Sequence, residues 1–557
     1  MDRLLRILCV PGARHAAEAA APTQHVVIEK ACQDGGDEKE TQVTVVPKII
    51  DNTYTVAPKP WRLDRWLDKV VEWSGSQFVF FMILGALITW AFLGIIFSEL
   101  TDWQVGISDG QAIINLVFDS FLMRQQLNSY GRTLEVLGVL KSRVFSNKRM
   151  LRELVKKERE RRVQEGEKQH LARMAPTAFA QSETKELARE GQVYEKPSAT
   201  ICQQQQRAEE RVHPEFAAEL PTENLFGRIC TTISKIMGHI ATVSLFWVGI
   251  VTWISFGPRD HWSSTWLLYI NSATSALMVF ILAFLANIRE RHGEYSNRCL
   301  EAIWKVDAAL ELNLRVATGD ATLNPTVSIP APCVTKIQRV INYYADLVGA
   351  LVGIAILILT MIIWLAIGPA MAFSSNWWLL IGTYAGLVGM NDGFVLRNVF
   401  HKLRGYEDDL FSEVGWEDEV ALSLLDSLQT LPGKQQELMP QLPQQQQASS
   451  EAIQTVPGNS LTERISLRVG AICSHEYAVL LGVVTIIGLI IGASAMGWSL
   501  TGQLLCNVPP SIIETFFMMI LITGHNLGDR RRRSDLARVH ARRLRLLKGV
   551  EGVVGAW

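Results

Sequence analysis

The sequence predicts an all-α polytopic membrane protein of eight transmembrane helices, built as four parallel two-helix repeats with cytosolic helical extensions. Three observations predict it. The 557 residues are 48% hydrophobic and 20% charged, with a mean hydropathy of +0.14, and a soluble domain of ordinary charge does not have a positive mean. The apolar residues are gathered into runs that reach the roughly 20 residues a helix needs to cross a bilayer. These runs come in pairs, with Lys and Arg held outside the pairs.

Four runs are nearly uninterrupted, 77–97, 239–257, 346–368 and 477–497, and each precedes a second run dotted with polar residues, 111–130, 265–288, 377–398 and 509–527. The loops inside the pairs (98–110, 258–264, 369–376, 498–508) hold one basic residue, Arg259. The flanks are rich in them, as in Arg62, Arg65, Lys69 and KSRVFSNKRMLRELVKKERERR. Basic residues stay on the cytoplasmic side of short flanking segments, so both termini and every long connection are expected in the cytosol.

The repeats are read as 61–162, 226–325, 326–429 and 461–557, the last ending in a basic helix. Amphipathic helical patterns follow the hairpins, as at 297–314 and 534–548. Between them, 163–225 is a low-complexity linker and 430–460 a Gln/Pro-rich one, and 1–60 is a largely disordered cytosolic tail, all too poor in apolar residues to build a core. Local spacing supports the repeats. A Trp or Gly precedes a Gly by four residues in each first span: Trp90 and Gly94, Trp253 and Gly257, Trp364 and Gly368, Gly488 and Gly492. An Asn precedes a basic residue by four at the end of each second span: Asn128 and Arg132, Asn287 and Arg291, Asn398 and Lys402, Asn526 and Arg530. The glycines are expected to admit a neighbouring helix, and the Asn and basic pairs to anchor at lipid headgroups. Second spans are the expected inner set.

Several function classes drop out. The net charge of −1 with its segregated basic residues argues against nucleic acid as a partner. No GxxxxGK[ST], HExxH or GxSxG stretch is present, so neither nucleotide-driven transport nor an enzyme is expected, and no permanently bound cofactor. Eight scattered cysteines (Cys9, Cys32, Cys202, Cys230, Cys299, Cys333, Cys473, Cys506) contain no CxxC pair and read as reduced thiols.

What remains is polar chemistry in the second spans. A carboxylate at mid-membrane costs roughly 2.5 to 3.5 kcal/mol, so Asp119, Asp392 and Glu514 are expected to face a partner or a hydrated path. Asn115 and Asn391 add neutral oxygens, and His525 a possible imidazole. Competing structural readings exist for each. Asp119 could pair with Arg124, Asp392 could cap a break in the Gly-rich GLVGMNDGF stretch, and Glu514 could serve the dipole of a helix started by Pro509 and Pro510. His525 could be a solvated boundary residue. Asp109, Asp102 and Glu99 beside Trp103 read as an acidic vestibule or a solvated loop, and the acidic run from Glu407 to Glu419 as a receiver of the exiting cation or a solvated face.

At these residues the chain resembles the fungal low-affinity iron permeases and their bacterial relatives. STWLLYINSATSALMVFILAFLANIRER in the second unit is similar to the family's signature second span, and NVPPSIIETFFMMILITGHNLGDRRR to its C-terminal counterpart. The resemblance runs from about residue 60 to 548 outside the linkers. It implies Fe(II) as transported substrate at the plasma membrane, with tolerance for zinc, copper and other divalent ions. Asn271-Ser272-Ala273-Thr274 of the second unit becomes Ser108-Asp109-Gly110 in the first and Gly382-Thr383-Tyr384 in the third, which favours an asymmetric site from units one, three and four. The other expectations are a membrane scaffold or sensor acting through cytosolic helices, and a monovalent ion channel. Divalent ions and the lipid bilayer are the expected partners, and a homo-oligomer stays open.

Overall fold

The structure, a computed structural model, describes residues 12–31, 42–48, 59, 61–97, 101–174, 224–429 and 461–555. The 430–460 linker, residues 175–223 of the other linker and most of the N-terminal tail lie outside these residues.

Among the described residues the helices fall into four sets of three. The sets are α1 (Arg62–Ser74), α2 (Gln77–Phe97) and α3 (Thr101–Met174); α4 (Leu225–Met237), α5 (Ile240–Phe256) and α6 (Ser264–Thr318); α7 (Lys336–Val348), α8 (Leu351–Ile367) and α9 (Ser375–Gln429); α10 (Leu461–Cys473), α11 (Glu476–Ala495) and α12 (Leu500–Val554). Each opens with a 13-residue helix that the sequence reading did not identify as an element of its own. Where that helix meets the apolar one, α4 bends from α5 by 56° and α7 from α8 by 64°.

Five described helices are long and apolar enough to cross a membrane, or seven when each bent pair is one span. The chain is an all-α, multi-pass membrane protein. The exception to the expected eight is α3, whose 111–130 stretch carries Asn115, Asp119, Ser120, Arg124, Gln125 and Gln126. It can be this polar because protein covers it. The four long helices form a closed ring in the order α3, α6, α12, α9, each packed on its two neighbours. The apolar helices α2, α5, α8 and α11 stand outside this ring and expose Phe92, Ile95, Leu245, Val248, Ile362 and Leu481, as lipid-facing helices do.

The hairpin turns share one construction. Trp90 and Trp103, Trp253 and Trp266, and Trp364 and Trp377 stack with centroids 4.4, 3.8 and 4.3 Å apart. In each pair both indoles donate to the partner's carbonyl, at 2.7 to 3.3 Å. A buried indole N–H needs an acceptor. At α5 and α8 one is spare, because Gly257 N and Gly368 N bond Ile254 O and Leu365 O, leaving the carbonyls of Trp253 and Trp364 to the indoles. A Cβ at Gly94 would meet the Trp103 ring of the next helix, as expected, whereas at Gly257 it would meet the Trp262 ring and at Gly368 the Phe373 ring, both in the turn. They admit a ring of their own hairpin.

The turns at His261-Trp262, Ala372-Phe373 and Gly497-Trp498 all use consecutive left-handed residues, with φ between 49° and 62°. In each, the second residue's N–H bonds back at 2.9 to 3.0 Å, to the carbonyl of Gly257, Gly368 and Ala493 respectively. Ala493, rather than Gly492, thus occupies the turn position of Gly257 and Gly368. The expected loops 98–110 and 498–508 are also mostly helix, since α3 begins at Thr101 and α12 at Leu500 with Ser499 as its cap.

At about 1.5 Å per residue the 55-residue α6, α9 and α12 reach some 80 Å, far beyond a 30 Å hydrocarbon layer. Their far halves, with α3, make a second bundle around Leu151, Leu310, Leu425 and Leu546. The expected amphipathic extensions are therefore continuous with the second spans. Part of the expected structureless tail is strapped onto this bundle: β1 (Ala17–Ala19) pairs antiparallel with Val327–Ile329, Ala21 N donates to Ser142 Oγ at 3.0 Å, and Gln24 N donates to Glu311 Oε1 at 3.2 Å.

Buried ion pairs hold the bundle's axis. Arg543 bonds Asp307 and, at 3.2 Å, Asp418, while Glu311 takes Arg143 at 3.2 Å and Arg315 at 3.0 Å. Burial pushes the Asp418 carboxyl up to about 6 against the pull of Arg543. The acidic run from Glu407 to Glu419 is thus no uniform solvated face, since Glu407 and Asp418 are buried. Removing one partner of a buried pair leaves a lone charge, so Arg543→Ala is expected to cost about 3 to 5 kcal/mol. Arg545→Ala, whose exposed ion pair with Asp426 spans 3.7 Å, should cost at most about 0.5 kcal/mol; thermal unfolding of the purified protein compares them. The folded bundle holds the Asp418 proton more tightly than the unfolded chain, so that residue's contribution to stability declines as pH rises from the ordinary 3.8 to about 6 and is level above. Asp418→Asn should flatten the unfolding midpoint across that window.

Candidate metal path

Through the first part of each long helix, from Thr101 to Met123, Ser264 to Ile288, Ser375 to Leu396 and Leu500 to Asp529, the sequence has no Lys or Arg. Inside the ring these stretches form, Asp119, Asp392 and Glu514 are all buried, at 1%, 3% and 1% exposure. They come from α3, α9 and α12 and lie within electrostatic reach of one another.

The helix register explains how they meet. Asn115, Met278, Gly389 and Glu514 lie twelve residues beyond Trp103, Trp266, Trp377 and Gly502, one on each helix. Asn115 Nδ2 donates to Glu514 Oε1. Gly389 is the side-chain-free position opposite: a Cβ there would lie 2.6 Å from Asn115 Nδ2 and press on the Glu514 carboxylate. Sequence reasoning missed Gly389, although the spacing of Gly386, Gly389 and Gly393 marks one helix face. Met278 lies among hydroxyl and amide donors, with Gln111 Nε2 at 3.6 Å and Thr515 Oγ1 at 3.8 Å from its sulfur.

The competing structural readings fare poorly. Arg124 turns away from Asp119 to Asp68 at 2.7 Å, Asp64 at 3.0 Å and the Gly349 carbonyl at 3.3 Å. Both Asp119 oxygens have no hydrogen-bond partner among the described residues. The helix carrying Asp392 is continuous, so no break bares carbonyls there, and Asp392 accepts from Tyr344 Oη at 2.6 Å. Glu514 lies fourteen residues into α12, with Pro509 and Pro510 inside the helix, so no N-terminal dipole reaches it.

Two expected ligands stand apart. Asn391 is half-buried beside the Tyr344 hydroxyl, on the side away from Gly389. His525 is eleven residues beyond Glu514, about 16 Å along the helix. It is buried rather than solvated, with the Phe400 ring at 4.4 Å and Arg289, Arg404 and His292 nearby, which is poor company for a cation. Among the described residues no three His, Cys, Asp or Glu side chains close on one metal-sized gap. The arrangement is a loose set of carboxylate and amide oxygens, chemistry suited to weak and unselective contact with a divalent ion. An apolar recess of about 450 Å³ between α5 and α12, lined by Trp247, Trp253 and Ile512, lies on the ring's outer side and has no polar surface to serve an ion.

Comparison with known proteins bears on this arrangement. The family described as "Low affinity iron permease" matches residues 226–296 and 462–543. The chain is 32% identical over 564 residues to a low-affinity iron/zinc ion transport protein of Schizosaccharomyces pombe, covering 99% of this chain and 86% of that one. It is 32% identical over 596 residues to a low-affinity Fe(2+) transport protein of Saccharomyces cerevisiae, covering 99% and 98%. No solved structure matches. With relatives at this identity spanning essentially its whole length, the chain belongs to the low-affinity iron permease family.

Proposed function

We propose that this protein carries Fe(II), and zinc and copper with it, across the plasma membrane at low affinity through the interior of the four-helix ring, with Asp119, Asp392 and Glu514 as the charged oxygens and Asn115 as a neutral one. One observation carries the reading: three buried carboxylates share a ring whose walls supply no Lys or Arg. An uncompensated carboxylate in a low-dielectric interior is strongly disfavoured, so a passing dication stabilises what the chain leaves uncompensated. Three anionic groups suit a divalent ion better than a monovalent one. The long cytosolic helices leave room for a scaffold role, but the carboxylates have no purpose in it.

In this reading each set of three helices is one copy of a repeat, giving eight spans with hairpin turns outside and both termini in the cytosol. Support comes from the recurring 13-residue helices, the matching turns, and a family match that begins one residue into both α4 and α10.

Iron uptake in cells lacking their own iron transporters tests the path. Asp119→Asn, Asp392→Asn and Glu514→Gln should each lower uptake by about tenfold or more, equivalent to about 1.4 kcal/mol, at unchanged surface abundance. Wild-type uptake in all three would reject the path. Gly389→Ala should abolish uptake, because its methyl enters the space between Asn115 and Glu514, whereas Gly393→Ala, whose Cβ meets only Phe517 at 3.5 Å, should retain it.

A further inference from the structure

Two turns toward the hairpin turns from Glu514 lies a second polar level, which the carboxylate cluster does not use. Ser108, Asn271, Gly382 and Asn507 stand five residues beyond Trp103, Trp266, Trp377 and Gly502, again one on each long helix. They meet inside the ring. Asn271 Nδ2 donates to Ser108 Oγ at 2.7 Å, Asn507 Nδ2 donates to the same oxygen at 3.4 Å, and a Cβ on Gly382 would lie 2.9 Å from Asn507 Nδ2.

Asp109 opens onto this level. The same Cβ would lie 3.5 Å from its Oδ1. The residue is 3% exposed, and neither carboxylate oxygen has a hydrogen-bond partner among the described residues. It therefore belongs to no solvated loop, while Glu99 and the Asp102 side chain, its expected companions, lie outside the described residues. Asn271 Oδ1 and Thr383 Oγ1 are likewise buried without partners. Pro510 lacks the N–H that would bond the Cys506 carbonyl, and that oxygen lies 3.2 Å from where a Cβ on Gly386 would be.

The level thus presents carboxylate, amide, hydroxyl and main-chain oxygens, with no cationic side chain on the surrounding helix stretches. Such a hard oxygen set replaces part of a divalent ion's hydration shell. We infer that Asp109, with Asn271, Thr383 and Asn507, forms a second divalent-cation site on the hairpin-turn side of the carboxylate cluster, where an arriving ion first sheds water. This rests on the metal-path reading above. With one carboxylate against three, the site binds more weakly than the inner cluster and sets the metal concentration at which the path fills.

Mn(II) binding to the purified full-length protein, read from the free Mn(II) paramagnetic signal, tests the inference together with iron uptake in cells. Wild type should bind two ions, Asp109→Asn one, and the triple variant Asp119→Asn, Asp392→Asn, Glu514→Gln one. Asp109→Asn and Thr383→Val should raise half-saturating iron several-fold with the maximal rate held within about twofold, the pattern of lost ground-state binding, and Asp109→Glu should recover part of it. Thr383→Val keeps shape and removes only an unpartnered hydroxyl, so a purely structural role for this level predicts no change in uptake. Unchanged stoichiometry and half-saturation in both variants overturns the second site. A wild type that binds one ion, retained by Asp109→Asn, removes that site alone, and a wild type that binds none removes the metal-path reading with it.

Discussion

A deficit of positive charge inside the helix ring is the constraint around which the structure is organised. The enclosed stretches of α3, α9 and α12 carry buried carboxylates, and neither they nor the α6 stretch holds a Lys or Arg. Each stretch ends at or soon before arginines such as Arg124, Arg289 and Arg397, so the basic residues begin where the anionic interior stops. A low-dielectric interior disfavours such an imbalance, which either a bound proton or a visiting cation relieves. The outer helices answer a different demand. They are nearly featureless apolar cylinders that let a polar ring stand in lipid without touching it.

Holding the ring closed requires the helix breaks. Wherever a 13-residue helix bends into an apolar one, backbone carbonyls lose their helical partners and need others inside a medium without water. Side chains of an adjacent set supply them. Asn287 Nδ2 donates to Gly75 O at 3.4 Å, Thr523 Oγ1 to Gly238 O at 2.6 Å, Arg124 Nη1 to Gly349 O at 3.3 Å and Asn398 Nδ2 to Ser474 O at 2.8 Å. Each break is thereby fastened to the next long helix, and the fastenings follow the same order around the ring as the packing. The Asn residues that end the second spans are therefore mostly clasps between sets, and not headgroup anchors. Of the basic residues after them, Lys402 reaches Glu476 at 3.6 Å and Arg291 reaches Thr231 at 3.1 Å, so these too bind protein.

Much of this was legible in the sequence, for definable reasons. Hydropathy and charge segregation are one-dimensional signals, so the apolar helices and the unusual status of Asp119, Asp392 and Glu514 could be read directly. Partner choice is three-dimensional. Arg124 is near Asp119 in sequence, yet it leaves for Asp64, Asp68 and Gly349 because α1 and the α7–α8 break pack against it. The importance of Gly389 was hidden because a glycine shows its role only through what fills the space it leaves. The helix ends misled at Pro509 and Pro510, which usually start helices but here lie a few turns inside one. The distance of His525 from Glu514 was legible too, since eleven residues of helix separate them. The tryptophan pairs left a trace that went unread, a second Trp thirteen residues after the first in three hairpins.

The two polar levels also bear on how an ion leaves. On the proposed path three carboxylates lie within electrostatic reach of one ion, and the more strongly they attract it the more slowly it moves on. The Tyr344 hydroxyl and the Asn115 amide donate to two of these carboxylates without supplying a positive charge. A second dication at the Asp109 level would sit about 10 to 15 Å away by helix rise. At that spacing two dications repel by about 1 to 6 kcal/mol for effective dielectric constants between bulk water and a protein surface, enough to shorten the inner ion's stay by roughly fivefold or more. Such repulsion would act only while the outer level is occupied, so on the proposed path release would quicken as external metal rises. On the proposed path low affinity would follow from the architecture, since a path whose inner ion leaves faster when the next one arrives saturates at a concentration set by its weaker level.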